Sequence, residues 1–478
     1  MKISINRNLL CQLQLNFSCF KQRQIVLFKR HYLTRLLSLA ISGDALYLSR
    51  YVKKKYNNTW PDLPSELKPL IRPHFKSKIK MTSNKRPRLL TVSPSFELTG
   101  APLSHFELVS KLNQKGWFVQ ALAMADGPLK AAYGTKKIQA FCEPHLIIDP
   151  AVPKFYEKDV HRIAQYLVEL APDVVFANTI DSFPVIDACR IAGITSVWNI
   201  RESEPWRKRL AAINPKIAAR ALACFSYSGQ NIFIAKSSLK AWTEFVPVEK
   251  RKVIYNAVPD VLKENSITTK QRNDFRKHLE IKADQFVILC LGTVCSRKGQ
   301  EDLIRALKHL EKEQLKFIKV IFVGKQESKY NTKLRGILSE AGNSDVSSQV
   351  SFIGEVNNPF EYLKAADALV SCSRSEGFPR TFFEAAIMKR PIIATPVGGA
   401  KERLSHGVSA HFYEVGDCKS LSNSILKLKN DLKYRKDLVI GVNEAIIAKR
   451  SSLDMVNEYD EILTAACKVK KEVSRCVE

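Results

Sequence analysis

Acidic residues are scarce in this chain: 47 aspartates and glutamates stand against 75 lysines and arginines in 478 residues, a formal net charge of +28. Other features are missing altogether. No two of the 11 cysteines form a C-x-x-C pair, and Cys224, Cys290 and Cys372 sit inside apolar runs, as free thiols used as small hydrophobes do. A disulfide framework is therefore not expected, and the compartment reads as reducing. The nine histidines are dispersed, and His406 with His411 has no third ligand nearby in sequence, so no metal site is expected. There is no G-x-G-x-x-G, hence no nicotinamide-binding fingerprint. Charges interrupt every apolar run well short of the ~18 residues that a membrane-spanning helix needs. No small-residue cleavage site follows a clean apolar core, so a secretory signal is not expected either. The basic excess comes without a recognition motif for nucleic acid, which is not an expected partner. What remains, with 45% hydrophobic residues, is a chain able to build buried cores.

The charge is uneven. Residues 1–88 hold 19 lysines and arginines against Asp44, Asp62 and Glu66, a net +16 of the total. The stretch Phe28–Arg50 mixes Leu, Ile, Tyr and Phe with Lys29, Arg30, Arg35 and Arg50. A helix of that composition can lie on an anionic membrane surface with its basic residues toward the headgroups. A mitochondrial-type presequence and a disordered basic tail are the competing readings of the same residues. The expected location is cytoplasmic, with peripheral attachment to the membrane through residues 1–85.

Beyond the extension, short apolar runs alternate with helical stretches. Strand candidates are Arg88–Val92, Phe118–Ala123, Leu146–Ile148, Asp173–Phe176, Thr195–Ile200 and Ala223–Tyr227, then Phe317–Val323, Val350–Ile353 and Ala368–Val370. Glycines close several of the later ones (Gly292, Gly324, Gly354). Strand-helix alternation without hairpin signals predicts parallel, doubly wound sheets, and the length fits two such domains.

Two clusters carry chemistry. In the segment Leu289–Leu307 an apolar strand runs into Gly292, a polar loop, the basic pair Arg297 and Lys298, and an amphipathic helix. A fixed cation there suits a departing diphosphate, whose charge grows in the transition state, and no metal is then required. In the segment 371–399 a strand meets Glu376-Gly377-Phe378-Pro379-Arg380-Thr381, then a helix bearing Glu384, then a second apolar strand ending in paired glycines. Two carboxylates, one on a loop and one on a helix, can address different parts of one extended polyol ligand. Pro379 suits the first helical turn, and the free N–H groups after it can face an anion.

This Glu-seven-residues-Glu segment, with Lys298-Gly299, resembles the retaining glycosyltransferases of family 4, a large family with the two-Rossmann-domain GT-B fold. The resemblance covers about residues 86–467. It implies a fold of two Rossmann-like doubly wound parallel-sheet domains facing across a cleft, behind a basic N-terminal extension. It implies that Glu376 bonds hydroxyls of the donor sugar and Glu384 the ribose, with Gly100, Gly292, Lys298, Gly377, Phe378, Pro379, Arg380 and Thr381 also at the donor. Glu376, Lys298 and Arg297 would be catalytic. Relatives usually place an arginine directly after the strand-end glycine; here it is Thr293, and Arg297 is the substitute. Where many relatives have a histidine followed by an acid, this chain has Arg201 and Glu202, on the acceptor side. The segment Lys252–Pro259, with Asn256, is similar to the family hinge. The expected divisions are an extension over 1–85, an acceptor domain over 86–256, a nucleotide-sugar domain over 257–452, and a terminal helix over 453–478 that returns to brace the first domain.

The reading is a metal-independent, cofactor-free glycosyltransferase that moves a hexosyl group, with retention, from a nucleoside diphosphate sugar to a glycan or lipid-linked saccharide acceptor. UDP, GDP and ADP donors are equally compatible. The alternative is a catalytically silent partner subunit of the same fold that binds a nucleotide sugar or glycan, suggested by Thr293 and Arg201; a third is a basic tethering protein.

Overall fold

Local signals set the first element of each unit. In a computed structural model, which describes residues 86–475 except 144–145, 259–267, 341–343, 357 and 450, the run RLLTVSPS forms strand β1 (Arg88–Ser95), buried through its centre. It is followed by a helix over Gly100–Gln114 and by β2 (Phe118–Ala125), parallel to β1 in a register that pairs Leu89 with Val119. The sheet continues with β3 (Gln139–Cys142), β4 (Val174–Asn178), β5 (Ser196–Ile200), β6 (Gln230–Phe233) and β7 (Arg251–Val253). Its order is β3-β2-β1-β4-β5-β6-β7, and every pairing is parallel. The second sheet holds β8 (Phe286–Leu291), β9 (Ile318–Val323), β10 (Val350–Gly354), β11 (Ala368–Ser371), β12 (Ile392–Ala394) and β13 (His411–Phe412) in the order β10-β9-β8-β11-β12-β13, again all parallel. Strands buried on both faces need helices on both sides, and the apolar runs are covered in that way.

Both sheets reverse their winding at one place, between β1 and β4 in the first and between β8 and β11 in the second. Loops leaving adjacent strands part there, opening a crevice at the carboxyl ends. Gly292 and Lys298 follow β8, and Glu376 follows β11, so the two motif clusters flank the switch point of the second sheet. Gly100 follows β1, Asn178 ends β4, and Arg201 follows β5.

The long helix Ser452–Arg475 packs on the first sheet, not the second. Val456, Tyr459 and Leu463 are buried with Val109, Leu112, Trp117, Phe176 and Ile254. Trp117 Nε1 donates to Asp460 Oδ1 at 2.7 Å, and Tyr459 Oη donates to Asn199 Oδ1 at 3.2 Å.

Two strand expectations fail. Ala223–Tyr227 is the last part of a helix, Pro215–Tyr227, whose start is set by Pro215 in the first turn and by Asn214, whose side chain accepts from Lys216 N. The strand that pairs with β5 comes later, as β6, after Gly229 N donates to Ser196 O. Leu146–Ile148 is not a strand; the edge position beside β2 is filled by Gln139–Cys142, paired Gln120 with Gln139. Pro379 lies at the N-cap of the helix Arg380–Ile387, with extended ψ of 126°, so the first turn starts one residue later than expected. The expected features of residues 1–85, including the amphipathic Phe28–Arg50 segment, lie outside the described residues. Among the described residues, no helix is long and apolar enough to cross a membrane.

Candidate donor-binding site

The loop after β8 turns at Gly292, whose φ of +132° is a conformation that side chains rarely adopt, and its N–H bonds Val323 O at 2.8 Å. A one-turn helix, Ser296–Lys298, then swings Lys298 back over Gly292: a Cβ built there would lie 3.8 Å from the ammonium. Asp302, in the helix that follows, is 3% exposed and grips Arg374 of the β11 loop through two bonds, one of them Nη2 to Oδ1 at 2.7 Å. Arg374 N in turn donates to Arg297 O at 2.7 Å. A bidentate pair plus a backbone bond thus ties the two loops together and fixes the cationic loop against the carboxylate loop.

Glu376 is the focus of that arrangement. Its Oε1 receives Lys298 Nζ at 2.6 Å, Arg297 Nη1 at 2.8 Å and Ser373 Oγ at 2.9 Å. All three bonds fall on Oε1, and Oε2 has no partner among the described residues. Burial pushes the carboxyl upward, but the charges of Lys298 and Arg297 and the bonds from Lys298 and Ser373 outweigh it, leaving Glu376 below the usual carboxylate range. Arg297 gains a further bond to Ser375 O at 3.0 Å, and the balance of burial against Glu376 leaves its pKa raised. Thr293 contributes its carbonyl, which accepts from Gln300 Nε2 at 2.9 Å.

Glu384, 6% exposed on the Arg380–Ile387 helix, accepts on Oε1 from Arg380 Nε at 3.0 Å. Burial raises its pKa, partly offset by Arg380. Phe378 is a packing residue, with the Arg403 guanidinium 4.6 Å from its ring. Thr381 is half-buried in the first helical turn. Gly377 is demanded by the opposite domain: a Cβ there would sit 2.5 Å from Arg201 O and 2.6 Å from Ile234 Cδ1. Gly398 is demanded from within its own domain, since a Cβ would run into Glu376 O. At Gly100, the first residue of its helix, a Cβ would meet nothing within 4 Å.

Arg201 is buried, with Nε donating to Asn178 Oδ1 at 2.7 Å. Burial lowers its pKa, while Tyr459, Glu202 and Glu107 pull it back up. Glu202 does not pair with the Arg201 side chain; its Oε2 accepts from the backbone N–H groups of Ile180 and Arg201, both at 3.0 Å. Burial, with Asp181 adding to it, raises the Glu202 carboxyl. Glu202 therefore braces the loop after β4, where Thr179 holds a φ of +72° that only its surroundings can impose. Thr179 N–H bonds Asn199 O at 2.8 Å and its carbonyl accepts from Trp198 Nε1 at 2.8 Å.

Three residues at the site had no motif to announce them. Asn178 holds Arg201, and its Nδ2 reaches Ser93 Oγ and Ala101 O, both at 3.4 Å; the signal was a polar residue ending the buried run VVFAN. Ser373 is the hydroxyl on Glu376. Glu107, on the Gly100–Gln114 helix, takes Arg380 Nη1 at 2.6 Å and Nη2 at 2.8 Å from across the cleft. Lys325 Nζ and Glu97 Oε1 make a second, more exposed cross-cleft pair at 3.0 Å. The rings of His406 and His411 meet tilted, with centroids 4.8 Å apart; among the described residues no group of three His, Cys, Asp or Glu could hold a metal ion.

Comparison with known proteins bears on the fold and the family. Residues 271–443 match the family described as glycosyl transferases group 1. The lipopolysaccharide core biosynthesis glycosyltransferase LpsD of Rhizobium meliloti is 28% identical over 184 residues, 38% of this chain and 51% of that protein. The capsular polysaccharide biosynthesis glycosyltransferase CapM of Staphylococcus aureus is 26% identical over 186 residues, 39% of this chain and 48% of that protein. The matches span about half the length of these curated relatives. Anabaena HepE, solved with UDP and glucose, superposes with a TM-score of 0.66 at 21% identity, covering 79% of this chain and 99% of that one. WaaG, a glycosyltransferase involved in lipopolysaccharide biosynthesis, gives 0.62 at 15% identity, with 79% and 99% covered. The structural likenesses extend over both Rossmann-like domains and place the architecture in the GT-B class, and residues 271–443, in the second domain, are similar to the family described as glycosyl transferases group 1.

Proposed function

We propose that the protein is a glycosyltransferase that moves a hexosyl group from a nucleoside diphosphate sugar to a glycan or lipid-linked saccharide acceptor, with retention of anomeric configuration and without a metal ion. The observation that carries this reading is the convergence of Lys298, Arg297 and Ser373 on one oxygen of Glu376. It leaves the second oxygen of a charged carboxylate for a sugar hydroxyl, and it keeps two cations within reach of a diphosphate at the same switch point.

In this reading the bond from the anomeric carbon to the phosphate oxygen breaks, and its electron pair goes to the diphosphate, where Lys298 and Arg297 meet the growing charge. The acceptor hydroxyl attacks from the face the phosphate leaves, and its proton passes to the departing phosphate oxygen, so no side chain has to act as base. Arg201 could not do so in any case, since guanidinium does not give up its proton near neutral pH. Glu384 would hold the ribose through the carboxylate oxygen that Arg380 does not take. Closure of the two domains would keep water from the activated sugar. UDP-linked donors are the first to try, because HepE, similar in fold, was solved with UDP and glucose.

The test is a thermal-shift titration of the purified chain with UDP, GDP, ADP and their common sugar conjugates, with and without magnesium, followed by transfer assays with labelled donor. Binding stabilises the native state by mass action. A shift without magnesium, abolished in Lys298→Ala, followed by sugar transfer, is the expected result. A shift without turnover on any acceptor would favour a silent sugar-binding subunit, and no shift with any nucleotide would overturn the reading.

A further inference from the structure

We propose that Glu107, a residue of the first domain, is a positioning residue for the nucleotide ribose in the second: it holds Arg380 by two parallel bonds and so keeps one oxygen of Glu384 open. The inference rests on the proposed function for the role of Glu384. The geometry is specific. Arg380 Nη1 and Nη2 reach the two Glu107 oxygens at 2.6 and 2.8 Å, while Nε reaches Glu384 Oε1 at 3.0 Å. The side chains are 12%, 17% and 7% exposed for Arg380, Glu107 and Glu384. Glu107 also faces the buried Arg201, whose charge it stabilises.

A guanidinium presents a fork that favours two-point binding of a carboxylate. With its fork on Glu107, Arg380 touches Glu384 by a single bond from Nε. Without that partner, a buried Arg380 has Glu384 as its nearest remaining carboxylate and turns its fork there, covering both oxygens. Glu384 then has no free acceptor for a ribose hydroxyl. The first domain thus acts on the nucleotide site of the second through one charge, over a sequence separation of 273 residues.

The experiment compares wild type, Glu107→Gln and Glu107→Asp for binding of UDP, GDP and ADP and of the 2′,3′-dideoxy form of each. Tm and circular dichroism serve as folding controls. In wild type the ribonucleotide should bind more tightly than its dideoxy counterpart. Glu107→Gln should weaken the ribonucleotide about tenfold and leave the dideoxy form nearly unchanged, collapsing the ratio, as loss of one hydrogen bond to a charged group predicts. Glu107→Asp, which keeps the charge, should retain most of the ratio. An unchanged ratio in a folded Glu107→Gln protein overturns the proposal while leaving the proposed function intact. Failure of wild type to bind any nucleotide overturns the reading on which both depend.

Discussion

Lys298 Nζ lies 2.6 Å from Glu376 Oε1, joining the loop that follows β8 to the loop that follows β11 across the switch point of the second sheet. The ammonium sits beside Gly292, where a Cβ would lie 3.8 Å from it and the chain offers only backbone. Its contribution to transfer should therefore exceed its contribution to the fold. Lys298→Ala is expected to lower kcat by about 10²–10³, the usual loss when one preorganised charge partner of a departing oxyanion is removed. Glu376 keeps Arg297 and Ser373, so the variant should stay folded. Steady-state kinetics beside a Tm measurement check this, and a loss of activity no larger than twofold would remove Lys298 from the catalytic set.

His105 makes a pH prediction. It is fully buried on the Gly100–Gln114 helix; its Nε2 meets Thr91 Oγ1, and Nδ1 has no partner among the described residues. Thr91 Oγ1 gives its own proton to Phe176 O at 3.2 Å, so the imidazole donates from Nε2 and is neutral. Burial, with the charge of Arg201 adding to it, holds its pKa well below 6.5. Because the folded pKa is depressed, the unfolded chain takes up a proton below pH 6.5 that the native protein refuses. Stability is unaffected above 6.5 and falls on acidification by about 1.4 kcal/mol per pH unit. Urea unfolding of wild type and His105→Gln at pH 7.5, 6.5 and 5.5 should show the wild-type advantage shrinking by about 1 kcal/mol in the last step, since the unfolded imidazole is already half protonated at 6.5. A difference independent of pH would mean that His105 is solvated.

Much of the second domain was legible in the sequence because its signals are local. Apolar runs end at Gly292, Gly324 and Gly354, and the strand, loop and helix carrying Glu376 and Glu384 follow one another without interruption. The first domain was harder. ACFSY has strand-forming residues yet closes a helix, since Asn214 and Pro215 set the helix start eight residues earlier and the burial of Cys224 and Phe225 on that helix outweighs their strand propensity. The reason for Gly377 could not be read locally at all, because what excludes a side chain there is the backbone of Arg201 in the other domain. Glu107 was missed for the same cause: a lone acid on a helix reads as a solvated charge until its partner, Arg380, is placed against it.

The C-terminal helix belongs energetically to the first domain. Leu463 is fully buried in that core, and Tyr459 adds a hydrogen bond to Asn199. Leu463→Ala should cost about 2–5 kcal/mol and Tyr459→Phe about 1 kcal/mol in urea unfolding. If Leu463→Ala costs less than 0.5 kcal/mol, the helix is not part of the first core.

Two glycines separate what the fold requires from what a ligand requires. At Gly377 a Cβ would press within 2.5 Å of Arg201 O, and the obstruction is backbone, which cannot swing away. Gly377→Ala should therefore push the domains apart, lowering Tm and activity together. At Gly100 a Cβ meets nothing within 4 Å, and the position opens a helix, where alanine restricts the unfolded chain more than the native one. Gly100→Ala should leave Tm unchanged or raise it by the equivalent of about 0.4–1 kcal/mol. If the donor approaches the backbone at Gly100, as the family resemblance implies, the same methyl group will raise the donor KM severalfold with no loss of stability. A stable Gly100→Ala protein with wild-type KM would show that the donor passes elsewhere, so this variant decides whether the first domain touches the donor or only closes over it.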